Sequence, residues 1–324
     1  MSVVEGQVCW VKAATYTFTA ALSVRTNGYP AFIGFTSTRG DGGQATITTS
    51  TNSVNLLEFD SFILDIFSWQ NFVFSSTAGT PGAGLIWING TQVYNVLFEN
   101  CEFKGFSNAI NMVNNFPEVD CLHLRNCKVH SCTSGNGALY LYAGNLGNRV
   151  ELYGTLVESN TAYGVNLLIG QRGQGFYAVH SVFYNNGSYG IWAQSDRAAY
   201  QDTAIHMINS AVVSNSSDGI HMGNGGTGYP KYLHTYNSIY YGNGGYGISV
   251  ESTPYALGYI VKGNGNAFGS NTSGAYQHIP MLPGEVTLTG DPFTSKSTGD
   301  FTLNSTSGAG AACKGVGWPT VIPS

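Results

Sequence analysis

Asp218 and His221, three residues apart in "SDGIHMG", are the pair in this 324-residue sequence best suited to proton chemistry. A carboxylate and an imidazole are the side chains that most often serve as acid and base. "QSDRAAYQDT" (194–203) adds Asp196, Arg197 and Asp202, while "GNGGTGYPKY" and "ESTPYALG" bring Lys231 and Glu251. Charged residues make up only 10% of the chain, well below the average of about 25%, so this grouping stands out. Asp218, His221, Asp196 and Arg197 together would supply an acid, a base and a cation for an anionic substrate. Asp218 facing Asp196 or Asp202 would suit hydrolysis, which needs two carboxyl groups roughly 5 to 9.5 Å apart. The plainer use of the same charges is a solvated loop held by Asp196–Arg197 or Asp202–Lys231 surface pairs, worth little in energy.

Around these residues runs a second set, aromatic and amide. Ile86, Asn111, Tyr140, Asn166, Trp192, His221 and Ser249 follow one another at intervals of 25 to 29 residues. Asn108, Tyr163, Tyr189, Asp218 and Tyr246 form a neighbouring row. A third row holds Leu97, His123, Glu151, Tyr177, His206, His234 and Lys262. Tyr, Trp, Asn, Asp and His in line suit an extended glycan, with ring faces against sugar C–H groups and polar tips on hydroxyls. Tyr140, Tyr163, Tyr189, Trp192, Tyr246 and Lys231 are the candidate binding residues. Such stacks also stabilise neighbouring strands with no ligand at all. The third row has three histidines but no converging ligand set, and surface or subunit contact is the expected role.

What must position these rows is a repeat. Asn71, Asn100, Asn126, Gly154, His180, Asn209, Asn237 and Gly265 recur at steps of 29, 26, 28, 26, 29, 28 and 28 residues. Nine to thirteen residues after each comes a small residue and then an apolar one, from Gly84-Leu85 through Gly219-Ile220 to Gly274-Ala275. Each unit carries three short stretches of period-2 alternation, such as "AIHMI", "SAVVS" and "GIHMG". Three strands in about 28 residues fit one coil of a parallel β-helix, whereas propeller blades run to about 40–50 residues with four strands. The fold class expected is therefore all-β, a right-handed parallel β-helix forming one domain. Residues 1–59 are opening coils, 60–275 regular coils and 276–324 a closing segment. Cys101, Cys127, Thr155, Ser181, Ser210 and Ser238, then Phe103 through Phe268, are the expected core stacks. Cys101 and Cys127 fall on adjacent coils, as two inward thiols or as a disulfide.

The chain resembles the right-handed parallel β-helix proteins of the pectate-lyase-like superfamily, including phage tailspike-like members. The resemblance implies an asparagine ladder at Asn71, Asn100, Asn126, Asn209 and Asn237. It also implies that "DPFTSKSTGDFTLNSTSGAGA" folds over the last coil. The polygalacturonase motifs Asn-Thr-Asp, Asp-Asp, Gly-His-Gly and Arg-Ile-Lys are missing, as is the calcium-lyase acidic cluster. The expected function is polysaccharide binding. A polysaccharide lyase or glycoside hydrolase of the same fold, acting on a uronate, is one alternative. A structural, trimerising module is the other.

Several classes fall away on chemistry alone. A net charge of -5 disfavours nucleic acid. No apolar run approaches the roughly 18 residues of a membrane span. No signal peptide is legible, so the extracellular or virion setting rests on the resemblance. No zinc spacing or other metal motif appears; no cofactor is expected, with calcium left open as a possible ion that no motif indicates. "GNGGTG" and "GNGGYG" match GxGxxG but lack the strand–turn–helix context, and "RGD" (39–41) reads as a glycine-rich turn. With strand-like "QVCWVKAATYTF" so near residue 1, the first coil is expected to need cover from an upstream domain or a partner subunit.

Overall fold

The computed structural model describes residues 7–24, 31–60, 64–88, 92–112, 118–143, 149–169, 175–195, 204–223, 231–251 and 259–315. Three parallel sheets of 10, 11 and 10 strands dominate these residues, each strand pairing with the one three further along the chain except at the end of the second sheet, where the step is two. One strand per sheet makes a coil, and the coils stack into a parallel β-helix. In one coil the strands are Ala204–Ile208, Ala211–Val213 and Ile220–Gly223. The inward side chains merge into one core, from Ala45 and Phe59 through Phe103 and Val157 to Ile248 and Phe268.

The recurring anchor residue has a backbone reason. Asn71, Asn100, Asn126, Gly154, His180, Asn209, Asn237 and Gly265 all adopt left-handed φ between 49° and 66°. One such residue turns the first strand of a coil into the second. Asn and Gly tolerate this region best, which is why they recur there.

The asparagine ladder, however, lies at the other corner. The αL residue points its own side chain out, so Asn100 and Asn126 are exposed, and Asn100 Nδ2 donates to Asn71 Oδ1 at 3.3 Å on the outside. The residue after it faces in. At the anchor corner that residue is Thr155, Ser181 or Ser210, whose hydroxyls donate to Leu124, Leu152 and Ala178 carbonyls at 2.9 to 3.1 Å. Cys101 and Cys127 do the same with their thiols, to Trp69 and Phe98 carbonyls at 3.4 Å. Both are free cysteines, and burial pushes the Cys101 thiol well above its usual pKa.

A second run of left-handed residues, Ser131, Ser159, Asn185, Ser214, Gly242 and Ser270, ends the second strand. Behind it Asn160, Asn186, Asn215, Asn243 and Asn271 stack inward, each Nδ2 donating to the next Oδ1 at 2.9 to 3.0 Å. Cys132 and Phe106 hold the earlier places in this row, both buried.

Two further expectations are corrected. At the last coil the register slips by one residue: Tyr246 pairs with Gly274 and Ile248 with Tyr276, so Ala275 is not the partner of Ile248. The Tyr276 ring then packs on Phe268, 4.7 Å between centroids. Residues 291–315 also do not lie over the last coil. After Val286–Thr287 extends the second sheet, the chain turns back as an antiparallel pair, Phe293–Ser295 with Asp300–Leu303. Phe293, Phe301 and Leu303 pack against Val182, Tyr184, Ala211, Val213, Ile239 and Tyr241. The outward face of the second sheet is apolar in those coils, and the tail removes it from water.

"RGD" is a turn closed from within. The Asp41 carboxylate accepts backbone N–H bonds from Thr36, Ser37, Thr38 and Gly43 at 2.7 to 3.0 Å, which hold its pKa well below the usual aspartate range. Asp41→Ala is expected to open this loop to limited proteolysis at neutral pH while the far-UV spectrum stays unchanged.

Candidate functional site

The third sheet brings the first two chemical rows together. Its register runs Ile86, Asn111, Tyr140, Asn166, Trp192, His221, Ser249, Gln277, one residue per coil. Just before the same strands, Tyr163, Tyr189 and Asp218 occupy one row, with Tyr246 a coil beyond Asp218.

Asp218 is 8% exposed and fully occupied. Its Oδ1 accepts the Tyr246 N–H at 2.7 Å, and its Oδ2 accepts the Ser249 hydroxyl at 2.6 Å. His221 Nδ1 lies 3.1 Å from that same Oδ2 and 2.7 Å from Ser249 Oγ. Because Ser249 spends its proton on Asp218, its oxygen accepts from Nδ1–H, which fixes the tautomer with the lone pair on Nε2. Burial alone would raise the Asp218 pKa; the bonds from His221, Ser249 and Tyr246 outweigh it and hold the carboxyl below its ordinary value. Asp218 is thus an ionised positioning group, not a proton donor near neutral pH.

"GNGGYG" (242–247) is explained by this site and by the ladder. Gly242 is left-handed at φ 69°, and a Cβ on Gly245 would stand 2.0 Å from Asp218 Oδ1. The glycine makes room for the carboxylate.

Rings flank the pair. Tyr163 stacks on Tyr189 at 5.6 Å and 7°, and Tyr189 on His221 at 4.7 Å and 12°. Trp192 tilts against Tyr163, centroids 4.7 Å apart. The stack spans three coils, but its rings face each other. Tyr189 has both faces covered, so it offers an outside molecule its edge and hydroxyl, contrary to the expected face-on sugar stacking. At Gly223 a Cβ would meet Trp192 Nε1 at 3.0 Å and His221 Nε2 at 3.2 Å, so both ring nitrogens converge over a residue without a side chain. Among the described residues no hydrogen bond occupies His221 Nε2.

The remaining expected residues divide. Tyr140 shares the Trp192 row and is half-buried, while Tyr246 joins the site through its backbone N–H. Asn108, Asn166 and Ser249 are buried at 5%, 2% and 0% exposure, despite lying on the outward rows. They brace the wall; Gln194 Nε2, for one, donates to Asn166 Oδ1 at 3.0 Å. Asp196, Arg197 and Asp202 lie outside the described residues, as does the Lys231 side chain. Ser249 is the contributor that residue-by-residue reading undervalued. Its signal was its place 28 residues, one coil, after His221.

Stacked three-strand coils with inward hydroxyl and asparagine ladders define a parallel β-helix protein. No family model and no curated protein sequence matches the chain. Among solved structures it is similar to pectate lyase Pel9A, with a TM-score of 0.64 and 16% identity over 91% of this chain and 76% of that one. It is also similar to the A-module of the mannuronan C-5 epimerase AlgE4 of Azotobacter vinelandii, with a TM-score of 0.59 and 15% identity over 92% and 76%. At these identities the likeness is one of fold. Among the described residues no helix is long and apolar enough to cross a membrane.

Proposed function

We propose that this protein binds an extended polysaccharide along the outer face of the third sheet, outside the cell or on a virion. The observation that carries the reading is the ring series Tyr163, Tyr189, His221 with Trp192, which crosses three coils beside an ordered Asp218–His221–Ser249 group. Coils are spaced about 4.8 Å apart, close to the length of a sugar unit, so successive coils can meet successive residues of one glycan. Phenolic hydroxyls, the indole N–H and the imidazole supply donors and acceptors matched to sugar hydroxyls. The names of the two similar structures, a pectate lyase and a mannuronan epimerase, are those of polysaccharide-acting enzymes.

Trp192→Ala and Tyr189→Ala are each expected to weaken retention by the bound polysaccharide roughly fivefold, about 1 kcal/mol, with the fold intact. Affinity electrophoresis against a panel of acidic and neutral polysaccharides measures this. Normal retention by both variants, with lowered thermal stability, would make the rings purely structural.

One observation favours catalysis as a second reading: His221 is oriented through Nδ1, and none of the described residues bonds its Nε2, the arrangement of an imidazole acting as general base. The same panel, followed for new reducing ends and for absorbance of unsaturated products, tests it. Turnover that survives His221→Ala would remove His221 from the chemistry.

A further inference from the structure

On the outer face of the first sheet, away from the Asp218 group, three side chains of different chemistry converge. Cys121 and His123 are alternate residues of the strand Glu118–Arg125, so they project from one face. The parallel register sets Glu151, on the next coil, beside His123. His123 Nδ1 lies 2.7 Å from Glu151 Oε2 and 3.8 Å from Cys121 Sγ. The three donor atoms all fall within 4.8 Å of one another.

The geometry points to a binding site for a soft divalent cation, with zinc as the fitting ion, held by Cys121 Sγ, His123 Nδ1 and Glu151 Oε2. Thiolate, imidazole and carboxylate are the zinc donor set, and around a tetrahedral ion they stand about 3.3 to 3.6 Å apart. At 3.8 Å the Cys121–His123 pair must close by a few tenths of an ångström, and at 2.7 Å the His123–Glu151 pair must open by a little more. The other carboxylate oxygen is held: Arg149 Nη2 lies 2.5 Å from Glu151 Oε1, and the guanidinium is itself seated over the Tyr177 ring at 4.4 Å. Such an outer partner fixes the direction of a ligating carboxylate. Cys121 is 8% exposed, so the ion would be half-enclosed, with the fourth position left to solvent. Binding displaces the thiol proton and frees Nδ1 of any proton while Nε2 keeps its hydrogen, and affinity rises with pH. A thiol nucleophile relayed by His123 is not the reading, since both Cys121 and Glu151 address the same ring nitrogen.

Across the two coils the ion acts as a clamp between neighbouring strands, so binding stabilises the fold. The test uses the full chain in a Cys9→Ser, Cys313→Ser background, which removes the two half-exposed thiols. Titration with Co2+ is expected to give a thiolate-to-metal charge-transfer band saturating at one ion per chain. Zn2+ should quench the band and raise the thermal midpoint. Cys121→Ser should abolish the band, and Glu151→Gln should weaken binding at least tenfold. His206→Ala, in the neighbouring histidine pair, should change neither. Absence of the band in the parent background, which does not depend on any site variant folding, overturns the proposal. So does one-to-one Zn2+ binding that persists in Cys121→Ser.

Discussion

Asn215→Ala is expected to destabilise the β-helix by about 4 kcal/mol, close to the upper end for a single substitution. Asn215 is 1% exposed and joins three coils. Its Nδ2 donates to the Phe183 carbonyl at 3.1 Å and to Asn243 Oδ1 at 3.0 Å. Its Oδ1 accepts from the Asn186 backbone N–H at 3.1 Å and from Asn186 Nδ2 at 2.9 Å. Truncation leaves those four buried groups short of a partner, and each unmade bond costs about 1 kcal/mol or more. Asn126→Gly should cost almost nothing. Asn126 is exposed, and Gly154 already fills the same left-handed corner one coil later. Denaturant midpoints of the two variants decide the matter, because the two ladders look alike on paper. Equal losses would mean that the outward asparagines also carry the fold.

The second large effect is expected at Asp218. Asp218→Ala removes the acceptor of the Tyr246 N–H and of the Ser249 hydroxyl, and one acceptor of His221 Nδ1–H, for a loss of about 3 kcal/mol. It also frees the His221 ring to turn, so polysaccharide retention should fall further than in Tyr189→Ala. Asp218→Asn keeps one oxygen for Tyr246 and should lie between the two. The pH dependence has a fixed sign. The folded carboxyl titrates below the ordinary aspartate value, so its stabilisation is complete above about pH 4 and is lost as pH falls through the folded pKa. In Asp218→Ala that acid-dependent component should vanish from the stability–pH curve. An unchanged curve would place the acid sensitivity on other carboxylates.

The repeat was legible in the residues themselves. Steps of 26 to 29 with a small-apolar pair in every unit leave little choice but stacked three-strand coils, and the left-handed anchors follow from the tolerance of Asn and Gly for positive φ. The row Asn111, Tyr140, Asn166, Trp192, His221, Ser249 was equally legible, because one coil length maps directly onto parallel register. The apolar outward face of the second sheet could also have been seen, since "AVVS" and "IYYG" break the alternation where the tail lands.

Only the tertiary structure decided which corner holds the inward ladder. Both corners carry a left-handed residue followed by a polar one, and the inward residue is the one after the turn, which spacing alone does not reveal. Tertiary structure also turned the tyrosines from ligand faces into a mutual stack and placed Ser249 between Asp218 and His221. It gathered Cys121, His123 and Glu151 in the same way. Sequence spacing determines which strands are neighbours, because parallel register is a matter of counting. Where a side chain points, and which of its atoms meets another, depends on backbone parity and ring rotation across coils, and these are settled only when the coils pack.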